Sequence, residues 1–278
     1  MNTVVNVACQ LDYNVTTPTS FMFSIVPAHT DYQTVQQEAL VLNPYIPVEW
    51  LQVDNYGSRL VRFQAQPCAL SVSYNATVQL MPIVDQQPPQ LDEVNYGALP
   101  VEILPYLNPS RYCESDRLAG FAYKEFGNLP MGYTRVEAVR DWVYHNIDYV
   151  SGSTDAFSTA VDVLVQRAGV CRDFAHLSIS FCRALGIPAR YVAGYAPELQ
   201  PPDFHGFFEA YLDGRWYLFD ATKLAPVNGF VRIGTGRDAA DASFATLVGA
   251  ATMQNMMVSA VTASGEALND TGIAVSTS

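Results

Sequence analysis

Basic side chains are scarce in this chain. Its 278 residues carry 15 Lys and Arg against 27 Asp and Glu, a formal charge of -12. A protein that neutralises phosphates needs a basic face, so no nucleic-acid partner is expected. Cysteine is also sparse: the five, at positions 9, 68, 113, 171 and 182, form no C-x-x-C pair and no regular framework. That spacing excludes a zinc ribbon and a disulfide scaffold and fits a reducing, cytoplasmic setting. No run of 18 apolar residues occurs, and the first residues show no basic segment leading into an apolar core, so neither a membrane partner nor export is expected. No D-x-[DN]-x-[DN]-G loop appears, and no metal or other cofactor is expected. Internal repeats are absent too.

What the chain has in quantity is apolar residues, 49% against 15% charged, enough for a substantial core. Val5, Val7, Cys9, Leu11, Tyr13 and Val15 alternate with polar or small residues, as do Leu70, Val72, Tyr74, Ala76, Val78 and Leu80. Each series reads as a strand with one buried face. Shorter strands at 21–26, 38–42 and 60–65, with a turn at Asn55-Tyr56-Gly57, complete a β-sandwich-like domain over residues 1–85. A Pro- and Gln-rich connection, 82–100, leads into a second domain, residues 86–263. There Ser115 can cap a helix to Phe126, and Thr134 with Glu137 forms a capping box ahead of Val136, Val139, Val143 and Ile147. Ser158 can cap another segment leading to Gly169. Residues 264–278, small and polar, read as a frayed C-terminal tail.

The most informative stretch begins at Gly169-Val170-Cys171. Phe174, Leu177, Ser178, Phe181, Cys182 and Leu185 recur at intervals of three and four, one buried helical stripe that Gly186 and Pro188 end. Cys171 therefore falls in the first turn, where unpaired N–H groups and the positive end of the helix dipole favour an anion. Downstream, residues 206–212 and 215–222 flank Asp213-Gly214, a strong two-residue hairpin signal. With that turn, opposed residues sum to about 427 by the pairing rule, so His205, Phe207, Glu209 and Tyr211 share a face with Thr222, Asp220, Leu218 and Trp216. His205 and Asp220 become diagonal neighbours, about 7–8 Å apart at Cβ. A thiolate that attacks, an imidazole that carries its proton and a carboxylate that orients the imidazole make a nucleophilic triad. Cys171, His205 and Asp220 fit those roles in order. His176 lies about 140° around the helix from Cys171 and reads as solvated or structural. Glu209 stands about 13 Å along the strand from His205 and reads as structural or substrate-contacting.

The run from Gly169 to Tyr195, the segment His205-Gly206-Phe207-Phe208-Glu209, and Trp216 followed by Asp220-Ala221-Thr222 resemble the motifs of the bacterial transglutaminase-like superfamily of cysteine proteases. The resemblance covers roughly residues 100–250, and the β-rich N-terminal region is similar to one that often accompanies such domains. It implies an α+β fold with a papain-like core, in which the catalytic Cys heads a helix packed on an antiparallel sheet carrying the His and the Asp. Phe207 and Ala221 depart from the Trp and Pro usual in that family. Transglutaminases resembling this core complete the oxyanion hole with an upstream Trp indole. Trp142 is the nearest upstream Trp but lies on an apolar stripe, so the second donor beside the Cys171 N–H has no assignment from sequence.

The function this implies is a thiol-dependent amide hydrolase, a cysteine protease or amidase acting on a peptide or small amide through a Cys171 thioester. Acyl transfer to an amine is the alternative, and a silent binding module with the same core is a third reading. A zinc site built from Cys, His and Asp is disfavoured because neither motif holds a second Cys or His at ligand spacing. Tyr195, Phe204, Phe207 and Phe208 are expected to wall a cleft that excludes bulky amines and so favours water. The sequence specifies no oligomeric state.

Overall fold

Side chains at alternate positions from Val5 to Val15 and from Leu70 to Leu80 are buried, while those between them are more exposed. Both stretches are long strands with one face on a core. The structure, a computed structural model, describes residues 3–277. Its first part is all strand: β1 (Thr3–Val15), β2 (Thr19–Phe23), β3 (Gln33–Asn43), β4 (Glu49–Gln52), β5 (Arg59–Ala65), β6 (Cys68–Leu80) and β7 (Ile83–Asp85). A helical part follows, with α1 (Ser115–Phe126), α2 (Tyr133–Asn146), a two-residue strand β8 (Asp148–Tyr149), α3 (Ala160–Gln166), its partner strand β9 (Ala168–Gly169), and α4 (Cys171–Ala184). The chain then returns to strands: β10 (Ala189–Tyr195), β11 (Phe204–Leu212), β12 (Arg215–Phe219), β13 (Val231–Gly236), β14 (Ala245–Val248), β15 (Ala251–Thr262) and β16 (Ala274–Ser276).

Two four-stranded sheets, ordered β15-β1-β6-β3 and β14-β2-β5-β4, face each other as a sandwich. Tyr13, Phe21, Phe23 and Phe63 fill its centre, with Phe21 stacked on Phe63 at 5.1 Å and Tyr13 edge-on to Phe21 at 5.4 Å. Such offset and edge-on pairs add to the gain from burying the rings. The third sheet, β13-β10-β11-β12-β16-β7, is mixed into the helical half: α4 lays Phe174, Leu177, Phe181 and Leu185 into a core shared with Phe208, Ala210, Leu212 and Phe219. The fold is therefore α+β with antiparallel sheets and a second half in which helices pack on a sheet. The two halves are joined by burial as well as by chain. Tyr195, Val231 and Ile233 sit in the sandwich core, and the Tyr195 hydroxyl donates to the Ile25 carbonyl at 2.6 Å.

Several local expectations need correction. Ser115 and Thr134 cap nothing: they lie inside α1 and α2, whose N-caps are Glu114 and Gly132 with no side-chain cap hydrogen bond. The sandwich is not built from the first 85 residues alone. β15 pairs with β1 from Val5 to Val15, and β14 pairs with β2, so a segment from 245 to 262 supplies an edge strand to each sheet. The stretch read as a frayed end re-enters the fold: Ala274, Val275 and Ser276 are fully buried between β12 and β7. A three-residue strand has no periodicity to detect, and its stability comes from a groove made by distant residues. The cap of α3 is Thr159, one residue after Ser158, and its backbone N–H donates to the Asp162 carboxylate at 2.9 Å.

Candidate active site

Helix α4 starts at Cys171 itself, after an extended Val170. Its start is fixed by Asp173, whose buried carboxylate accepts from the Val170 N–H at 3.0 Å, the Thr154 hydroxyl at 2.5 Å and the Arg172 guanidinium at 2.8 Å. Arg172 also donates to the Asp155 carbonyl at 2.7 Å, which ties the loop ahead of α3 to the same turn. Gly169 permits this approach: a Cβ there would lie 2.8 Å from the Asp173 Cβ. Cys171 is left partly exposed at the head of the helix, while Cys9, Cys113 and Cys182 are buried. Burial pushes the Cys9 thiol up to about 11 and the Cys113 thiol up to about 12.

The hairpin has the register its turn requires. Asp213 and Gly214 both take positive φ, 46° and 79°, and Leu212 faces Arg215, Ala210 faces Tyr217 and Phe208 faces Phe219. Positive φ at both central residues matches the twist of the flanking strands. The register brings His205, at the start of β11, to Asp220, just past β12: Nε2 lies 2.9 Å from Oδ2, and both side chains are buried. Thr222 holds the carboxylate from its other side, donating from its backbone N–H at 2.9 Å and from its hydroxyl at 2.8 Å to Oδ1. Sequence reasoning placed Thr222 on this face but gave it no task.

Cys171 completes the group. It lies near enough to His205 to help raise the imidazole pKa. Because Nε2 faces Asp220, the ring has only Nδ1 to offer the sulfur. No full hydrogen bond forms at Nδ1 in the resting molecule, so the approach is loose. Such contacts commonly tighten only in the substrate complex. Burial alone would lower the His205 pKa, but the Asp220 charge and hydrogen bond, aided by Cys171, outweigh it and push the imidazole up to about 10. Burial likewise opposes ionisation of Asp220, and the pairing with His205 and the Thr222 donors bring its carboxyl below the usual range.

Other sequence-singled residues fall outside this group. His176 is buried, stacks on Tyr112 at 5.1 Å and accepts from the Ala239 N–H at 3.1 Å. Burial, with nearby arginines, lowers its pKa to about 3, so it is a neutral structural imidazole. Glu209 is fully buried between Arg190, 2.6 Å away, and Arg232. It anchors the sheet rather than facing a substrate. Trp142 packs edge-on against Phe121 and Phe181, as its stripe implies. The aromatic wall does not exist as expected. Tyr195, Phe207 and Phe208 are core residues, with Phe207 against Phe230 at 4.2 Å and Phe208 stacked on Phe219 at 5.3 Å. The short β8 went unread in the sequence. It pairs in parallel with β9, Tyr149 opposite Gly169, and so carries the Tyr149 phenol to Cys171.

No cluster of His, Cys, Asp and Glu suited to a metal ion occurs among the described residues. No described helix is long and apolar enough to cross a membrane.

Comparison with known proteins gives the family of this fold. Residues 121–221 match the transglutaminase-like superfamily core, and residues 4–101 match the bacterial transglutaminase N-terminal domain. A crystal structure from Cytophaga hutchinsonii, provisionally described as a cysteine protease, is 43% identical with a TM-score of 0.95, covering 99% of this chain and 98% of that one. An uncharacterised protein of Mycobacterium leprae is 34% identical over 115 residues, 38% of this chain and 41% of that protein. One of Mycobacterium tuberculosis is 32% identical over 163 residues, 52% of this chain and 50% of that protein. The chain thus matches half or less of the length of these mycobacterial relatives. With both of its parts matched in order, and a relative that follows it almost end to end, the chain belongs to the transglutaminase-like superfamily.

Proposed function

We propose that the protein is a thiol-dependent amide hydrolase that works through a thioester on Cys171. The observation that carries this reading is the buried His205–Asp220 pair at 2.9 Å, with its second ring nitrogen left for the thiol at the head of α4. In this reading Cys171 Sγ, having given its proton to His205, attacks the amide carbonyl. The tetrahedral intermediate collapses as the C–N bond breaks and the imidazolium protonates the departing amine. Water then enters, gives its proton to His205 as its oxygen attacks the thioester, and releases the acid with the thiol restored. Asp220 holds one imidazole orientation throughout and stays ionised. The substrate class is a peptide or small amide, in line with the C. hutchinsonii relative's description.

The test is to incubate the protein with p-nitrophenyl acetate, trap the acyl-enzyme by mass spectrometry, and follow its decay against rising primary amine. Acylation confined to Cys171, with decay to acid at an amine-independent rate, is the expected result. A peptide and amide library then identifies the acyl group. Absence of acylation on Cys171 would refute the thioester. Decay proportional to amine and yielding amide would replace water with an amine as acceptor.

A further inference from the structure

The oxyanion that forms in such a reaction needs two donors, and the Cys171 N–H supplies one. Trp142, the nearest upstream indole, is held among Phe121, Phe126 and Phe181, with Arg167 over its ring at 5.2 Å. Phe207 has nothing to donate.

Tyr149 does. Its place is fixed from two sides: the parallel pairing of β8 with β9, continued by the Val150 N–H donating to the Gly169 carbonyl at 3.0 Å, sets it opposite Gly169, and its ring lies 5.8 Å from that of Phe174, one turn into α4. Strand pairing on one side and the helix's first turn on the other leave the phenol at the head of α4. There it stands close enough to Cys171 for the thiol's charge to raise the phenol's pKa. Resting on the thioester reading above, we propose that Tyr149 is a catalytic residue whose hydroxyl is the second donor to the oxyanion.

The placement explains how one hydroxyl serves two stages. Before attack the O–H donates to the thiolate. As the C–S bond forms, negative charge leaves sulfur for the carbonyl oxygen, which arrives beside the Cys171 N–H. There the phenol O–H turns from the sulfur and donates to the new oxyanion. No proton changes owner in this exchange. The ring is 45% exposed, so it has room for the small shift required. Burial and the neighbouring Cys171 charge both raise the phenol's pKa, which keeps it protonated, as a donor must be.

Tyr149→Phe keeps the ring and its packing against Phe174 and removes only the hydroxyl. Two reactions of Cys171 separate its roles. Alkylation by iodoacetamide is a displacement at saturated carbon and forms no oxyanion, whereas acylation by p-nitrophenyl acetate does. We expect acylation to fall by about 10²-fold or more while alkylation changes by no more than about threefold, the latter also showing that the site is folded. An equal fall in both rates would make Tyr149 a positioning residue for the thiol and overturn the assignment, as would no change in either. If wild-type protein alkylates but never acylates, the hydrolase reading itself fails, a result distinct from either of these.

Discussion

Replacing Asp220 with Asn tests the buried pair at its centre. The substitution keeps shape and leaves Thr222 its hydrogen bonds, but it removes the charge 2.9 Å from His205 Nε2. His205 stands at about 10 against an ordinary 6.5. At 1.36 kcal/mol per pKa unit, that gap is about 5 kcal/mol in favour of the imidazolium. Burial works against the charge, and Asp220 is the main source opposing it. Without Asp220, desolvation should prevail and the imidazole should be neutral at pH 7. NMR of the His205 ring should show it protonated beyond pH 8 in the wild type and titrating below 6.5 in Asp220→Asn. Linkage fixes the effect on stability. The raised His205 pKa contributes fully below pH 6.5, and the contribution is lost as pH rises towards about 10. The lowered Asp220 pKa contributes above its unfolded value and is lost in acid. The wild type should therefore exceed the variant most between about pH 4 and 6.5, measured by urea denaturation across pH. Turnover should fall by about 10²- to 10⁴-fold if orientation is what Asp220 supplies. Unaltered His205 titration in the variant would falsify the reasoning.

Brief iodoacetamide treatment of folded protein, followed by peptide mapping, should label Cys171 first. Cys9, Cys113 and Cys182 should stay silent because they are buried, and Cys68, also partly exposed, is the internal comparator. Faster labelling of Cys68 would remove the case for an activated thiol. Glu209→Gln should destabilise the fold by about 3–5 kcal/mol by leaving Arg190 and Arg232 without their shared counter-charge, read as a lower urea midpoint. Surviving folded protein should acylate at the wild-type rate, since Glu209 touches neither Cys171 nor His205; a selective loss of acylation would show that it acts in the site.

Much of the site could be read in the chain because its determinants are local. Asp213-Gly214 set the hairpin register, and with it the meeting of His205 and Asp220, from two residues whose backbone preferences are strong. The stripe from Phe174 to Leu185 set the helix and left Cys171 at its head. Tyr149 was invisible because a two-residue strand has no pattern, and its approach to Cys171 depends on pairing with Gly169 across the whole of α3. The aromatic residues were misplaced for a different reason. Composition shows that Phe207 and Phe208 are apolar, but a strand buried on both faces gives no sign of which side, if either, opens to solvent. β14 and β15 were missed as partners of the sandwich because strand periodicity says nothing about which distant edge a strand will join.

That last arrangement bears on how the molecule is made. The Thr16 hydroxyl donates to the Ala250 carbonyl across 234 residues of sequence, and β15 pairs with β1 from Val5 to Val15. During synthesis the first strand therefore leaves the ribosome long before its neighbour exists. One edge of each sandwich sheet stays bare while the helical half is translated, which invites pairing with other nascent chains. Closure of so distant a contact is also slow. Because Tyr195, Val231 and Ile233 are buried in that same sandwich, the wall beside His205 should become rigid only after residue 262 has emerged. The pocket around Cys171 and His205 would then be completed only late in synthesis, by the topology of the chain itself.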